Sequence, residues 1–228
     1  VNLDAGSPIA WEDESVPFPA NLGITWWECL VSPDRFFSRV SWDRPFARPL
    51  LYFLLVGILS GLLRLFWSPW SPAGAADVLG VPAQLQLVGF FLTPFVLLIL
   101  LALVSLGQHL FAALLAPRRR GIRATATVLC YASGVGIAVA VLPPAFGPGG
   151  GTVPGLLGAT YLVVYVSVAV AAQVWYVVVN VIGLKRAHST TTGRAAAIVL
   201  LPMAIGLAFA TILVIVGVAL SALAELPV

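Results

Sequence analysis

Residues Leu87–Arg123 read LVGFFLTPFVLLILLALVSLGQHLFAALLAPRRRGIR, and the boundary inside this stretch decides the fold. From Leu87 to Leu115 there is no Asp, Glu, Lys or Arg; Arg118, Arg119, Arg120 and Arg123 then follow at once. A helix must be about 20 mostly apolar residues long to cross a hydrocarbon core of ~30 Å, because unpaired peptide groups are not tolerated in lipid. The stretch therefore predicts a membrane span that ends on a basic turn.

Four further stretches have the same character, so the predicted spans run from about Leu50 to Trp67, Leu87 to Leu115, Ala124 to Leu142, Leu156 to Leu184, and Ala195 to Leu223. Pro94 and Pro202 are expected to kink the second and fifth, and the excess length of the longer ones is expected to be taken up by tilt. Composition agrees, since 60% of the 228 residues are hydrophobic and only 9% are charged, which excludes an ordinary water-soluble domain. The fold class expected is an all-α, polytopic five-transmembrane-helix bundle (residues 49–228) behind an N-terminal arm (residues 1–48).

The 12 basic residues set the orientation. Arg35, Arg39, Arg44 and Arg48 precede span one; Arg118, Arg119, Arg120 and Arg123 join spans two and three; Lys185, Arg186 and Arg194 join spans four and five. Eleven of the 12 thus share one side of a five-span topology, and Arg64 lies near enough to the outer end of span one to snorkel. The arm is expected in the cytoplasm and the C-terminus outside, in a cell inner membrane. The opening residues lack the basic and apolar regions of a secretory signal.

Within the arm, Leu22, Trp26 and Leu30 form one helical stripe, and Ser32-Pro33-Asp34 suits the start of a short helix carrying Phe36, Phe37 and Val40. Two placements are open: flat on the inner membrane surface, as Trp26, Trp27 and Trp42 would allow, or packed under the ends of the spans. Gly57 with Gly61, and Ser167 with Ala171, are small-residue faces expected to form seams within one chain.

Polar residues inside spans are costly and mark either packing or function. Counting 1.5 Å per residue puts Gln108 and His109 roughly 14 Å, Tyr131 roughly 12 Å and Asn180 roughly 8 Å inward from the basic ends, with Gln173 deeper. They are read either as interhelical hydrogen bonds or as a cytoplasm-facing polar pocket. Arg118, Arg119, Arg120, Arg123, Lys185, Arg186 and Arg194 form a rim able to contact lipid headgroups or other anions. Ser189–Thr192 reads as a capping stretch for span five.

Enzymatic signatures are weak. No HExxH occurs, and two His with one nearby Cys are too few for a metal site, so neither metal nor cofactor is expected. Ser133-Gly134 with His109 is superficially like a rhomboid-type protease, but the expected glycine is Tyr131 and the histidine comes too early. Cys29 and Cys130 are expected to sit apart as free thiols.

Trp26, Ser32-Pro33-Asp34-Arg35-Phe36-Phe37, His109-Leu110, Arg123-Ala124-Thr125, Tyr131-Ala132-Ser133, Gly183-Leu184-Lys185-Arg186-Ala187-His188 and Thr192-Gly193-Arg194-Ala195, in this order, carry a resemblance. From about Trp11 to Pro202 the chain resembles the bacterial branch of the Yip family. That resemblance implies five spans with a cytoplasmic N-terminus. Eukaryotic members are associated with Rab-type GTPases, vesicle traffic and membrane shaping, but their acidic and glycine-tyrosine signatures are missing here, so GTPase recruitment is not expected. The function expected is a non-enzymatic membrane-organising or scaffold role, with membrane lipids and a membrane or cytosolic protein as partners and no nucleic acid. The rival is a transporter, channel or lipid-moving protein whose path runs through the polar layer.

Overall fold

In a computed structural model the described residues are 7–67, 83–117, 120–142 and 156–224, and among them there is helix but no strand. A 3-10 turn at Ala10–Glu12 opens the chain, followed by α1 (Ala20–Val31) and α2 (Pro33–Arg39). The long helices are α3 (Ala47–Trp67), α4 (Ala83–Leu115), α7 (Leu156–Ala187) and α8 (Thr192–Ala224). Between α4 and α7 the chain forms α5 (Ile122–Ala132) and α6 (Val135–Ala140).

Among the described residues four segments are long and apolar enough to cross a membrane: Phe91–Leu115, Ile122–Ala140, Thr160–Ala187 and Thr192–Gly217. α3 supplies a shorter apolar run, Ala47–Leu63. The third expected span is interrupted at Ser133 and Gly134, yet both keep right-handed helical dihedrals, so the segment bends without reversing. Pro94 and Pro202 lie within continuous helices, α4 and α8.

Burial is uneven in a way that suits lipid. α5 is buried along nearly its whole length, while α8 exposes Leu207, Phe209, Leu213 and Val214 and α4 exposes Phe91, Phe95 and Ile99. Apolar faces of this kind would be a liability in water but are solvated by acyl chains. Ser167 and Ala171 are exposed as well, so among the described residues the expected small-residue seam in α7 is not made. Gly57 does serve a seam: a Cβ there would stand 2.5 Å from Leu97 Cδ1 of α4.

The core gathers around α5, which packs against α1, α3, α4 and α7. The arm is part of this core. Phe36 and Phe37 of α2 are fully buried, and α2 packs along α7. The Trp26 indole N–H donates to the Gly134 carbonyl at 2.7 Å, and Gly134 lies roughly 17 Å along the helix from Arg123. The arm packs against the long helices and reaches well beyond their basic ends. The physical reason is that the small residues Ala132 and Gly134, at the end of α5 and just beyond it, leave room that the bulky aromatic side chains of the arm fill.

Candidate functional site

Tyr131 is the hub of the buried interior. Its hydroxyl donates to Glu12 Oε1 at 3.0 Å, its ring meets Phe36 and Tyr52 edgewise or tilted with centroids 5.2 Å away in each case, and its carbonyl accepts from Cys29 Sγ at 3.5 Å. Three stretches of the arm therefore converge on one residue of α5. The Trp11 ring packs edge-on to Tyr52, and the Trp11 indole N–H donates to the Arg48 carbonyl at 2.8 Å, which fixes the 3-10 turn over the start of α3.

Glu12 is only 5% exposed, an unusual environment for a carboxylate. Burial raises its pKa; the Tyr131 hydrogen bond, Arg44, a backbone donor at Ser41 and Arg48 oppose that rise. Arg44 Nη1 stands 3.6 Å from Oε2, and both Arg44 and Arg48 donate to the Glu12 carbonyl at 3.0 Å. This group was not among the expected site residues. Glu12 sits in the acidic run Glu12-Asp13-Glu14, which reads as solvated, and only the neighbouring Trp11 hints at burial.

A second cluster ties the basic turns together. The Arg120 backbone N–H donates to His188 Nδ1 at 3.2 Å, which leaves Nε2 of the neutral ring to donate to Thr125 Oγ1 at 3.0 Å. Thr125 Oγ1 also lies 3.4 Å from His109 Nδ1, and the two imidazole rings are 6.2 Å apart. His188 is fully buried, and desolvation, with His109 and Arg120 nearby, pushes its pKa down to about 4. The ring is thus neutral at physiological pH and serves as a hydrogen-bonding wedge between the loop before α5 and the end of α7. Past it, Ser189 takes φ 47 and the Thr190 N–H bonds back to the Lys185 carbonyl, a left-handed cap that turns the chain into α8. Thr191 Oγ1 accepts the Arg194 N–H at 3.4 Å, in line with the expected capping stretch.

The expected polar layer is only partly assembled. Tyr131, Gln108 and Asn180 are buried; the Asn180 amide donates to the Tyr176 carbonyl at 2.9 Å, while Asn180 Oδ1 and Gln108 Oε1 have no hydrogen-bond partner among the described residues. His109 joins the His188 cluster, and Gln173 is exposed on α7. Ser133 donates to the Cys130 carbonyl at 2.7 Å and His109 is engaged elsewhere, so the geometry holds no serine–histidine pair of the rhomboid kind. Cys29 and Cys130 are both buried free thiols. Among the described residues no cluster of His, Cys, Asp and Glu could hold a metal ion.

The basic rim separates into members with different tasks. Arg118 and Arg119 lie outside the described residues, as does the side chain of Arg64. Arg120 lies over the Trp42 ring, 5.6 Å from its centroid. Arg186 holds Asp34 of α2 in a bidentate pair, Nε to Oδ1 at 2.9 Å and Nη2 to Oδ2. Lys185 is half-buried, whereas Arg123 and Arg194 are exposed. Arm contacts thus consume part of the charge that orientation alone would place here.

No curated protein and no solved structure matches this chain. The Yip1 domain, by contrast, matches residues 27–221, which take in all of α2–α7, the C-terminal end of α1 and most of α8, and leave the Trp11–Glu12 turn outside. A match over that much of the sequence identifies this membrane protein as a member of the Yip1 domain family.

Proposed function

We propose that the chain crosses the membrane five times and acts without catalysis, as a membrane-organising or scaffold protein. Its arm and basic turns lie on the cytoplasmic side of an inner membrane and contact anionic lipid or a protein partner. α3, at 21 residues, is about 31 Å long at 1.5 Å per residue, enough for a fifth span. Five crossings also keep the basic turns on one side, as the positive-inside rule requires.

Enclosure of Tyr131 and Asn180 carries the reading. A conducting path would need Tyr131, Asn180 and Gln173 to share a wetted cavity, yet Tyr131 and Asn180 are fully buried among side chains and Gln173 faces outward. Cavities of about 650, 370, 310, 210 and 130 Å3 occur elsewhere, and none of these five is lined by Gln108, His109, Tyr131, Gln173 or Asn180. The buried hydrogen bonds instead connect the arm to the spans, which suits a rigid platform.

Purified protein reconstituted in liposomes tests this. No movement of solute or lipid above protein-free vesicles is expected from the wild type. Movement that disappears in His109→Ala and Asn180→Ala would replace the scaffold by a transporter, channel or lipid-moving protein.

A further inference from the structure

On the lipid-facing side, the start of α3, the middle of α4 and the first turns of α5 enclose a groove of about 370 Å3, within the usual size of ligand pockets (~300–1,000 Å3). Phe46, Leu50, Leu98 and Leu101 supply its apolar wall, Ser105 its one hydroxyl and Arg123 its one charge. The order of these groups matters. Arg123 sits in the first turn of α5, at the basic end; Ser105 comes next on the antiparallel α4, and Leu101 and Leu98 follow one and two turns further in.

Three observations point to an occupant. Ser105 is 2% exposed, yet its hydroxyl has no hydrogen-bond partner among the described residues, an unfavourable state for a buried donor unless a ligand completes it. Arg123 is exposed and, unlike Arg39, Arg44, Arg48 and Arg186, pairs with no carboxylate among the described residues. Gly121 caps α5 without a side-chain hydrogen bond, so the positive end of that helix adds to the Arg123 charge. Cation, then hydroxyl, then hydrocarbon is the complement of phosphate, then ester carbonyl, then acyl chain.

We propose that this groove is a binding site for one anionic glycerophospholipid. Arg123 and the α5 N-terminus receive the phosphate, Ser105 donates to an ester carbonyl, and one acyl chain lies along Leu101, Leu98 and Leu50. The site rests on the reading that the basic face contacts anionic lipid, and narrows it from a diffuse surface to one stoichiometric position.

The test uses the full chain in nanodiscs of phosphatidylglycerol or phosphatidylcholine with identical acyl chains, extracted into detergent and weighed by native mass spectrometry. Wild type is expected to retain one phosphatidylglycerol and to lose phosphatidylcholine. Arg123→Gln and Ser105→Leu each weaken retention by about tenfold or more, Arg123→Lys restores part of it, and Arg194→Gln leaves it unchanged. Inaccessibility of Cys29 to alkylation certifies that each variant is folded. Equal small losses in Arg123→Gln and Arg194→Gln would overturn the groove while sparing the basic-face reading. Equal retention of both lipids, or of neither, overturns both, and displacement by soluble glycerol phosphate overturns the acyl-chain part of the site.

Discussion

Replacing Tyr131 by Phe removes one oxygen from the centre of the molecule and leaves the ring contacts with Phe36 and Tyr52 in place. What is lost is the donor to Glu12 Oε1, on a carboxylate whose other oxygen accepts no hydrogen bond from the described residues and has Arg44 only at 3.6 Å. A hydrogen bond to a charged group contributes about 1.5–3 kcal/mol, and stranding its buried partner falls in the same range. Docking of the arm should weaken by that amount, which corresponds to about a 10- to 150-fold rise in the undocked population. Cys29 reports it directly: the thiol is 2% exposed against the Tyr131 carbonyl and burial raises its pKa, so alkylation proceeds through the undocked arm. In a Cys130→Ala background, Tyr131→Phe is predicted to accelerate Cys29 alkylation by that factor. Glu12→Gln keeps an acceptor for Tyr131 and removes the buried charge, so it should shift docking by less than about 1 kcal/mol, roughly fivefold in rate. Tyr131→Phe should cost less in the Glu12→Gln background than alone, the signature of a coupled pair. Wild-type alkylation kinetics in Tyr131→Phe would show that the Glu12 contact does not hold the arm, and the reasoning would fall.

Gly183→Ala places a Cβ 2.5 Å from Val128 Cγ1 and 3.0 Å from the Phe37 ring, so overpacking should cost about 1–3 kcal/mol in thermal or denaturant unfolding; Gly193→Ala, with nothing within 4 Å, is its neutral control. For His188 the folded pKa of about 4 lies below the ordinary 6.5, so its stabilising contribution is complete above pH 6.5 and is lost as pH falls through 4. The effect is at most about 3 kcal/mol, and unfolding of His188→Asn measured across that window should lose this slope. Glu12 runs the other way: its raised pKa makes docking strongest below pH 4.5 and weaker as pH rises through the folded value, a trend that Cys29 alkylation corrected for thiolate content should show and Glu12→Gln should abolish. Cysteines introduced at Ala75 and Gly121 should label from opposite sides of the membrane, and labelling from the same side would remove the five-span topology.

Much of the architecture was legible along the chain, because transfer of a helix into hydrocarbon is close to a sum over its residues and a basic turn at a span end is a local feature. The run from Leu87 to Leu115 and the arginines after it needed no tertiary information. α3 was less plain, since Arg48 and Arg64 interrupt the apolar character of its sequence. The site was legible only in part. Gln173 and Asn180 are seven residues apart and so share a helix face, which predicts a common environment. One is exposed and the other buried, because α2, α5 and α8 close around the last turns of α7 and leave Gln173 outside.

Helical periodicity and the length of the apolar helices belong to the sequence alone, each being set by interactions within about one helical turn or by additive transfer energies. The pairing of Glu12 with Tyr131, 119 positions away, and the wedge of His188 between Arg120 and Thr125 belong to the tertiary structure. A polar group commits to a buried partner only when packing has removed water from both, and no local pattern encodes which two surfaces will meet.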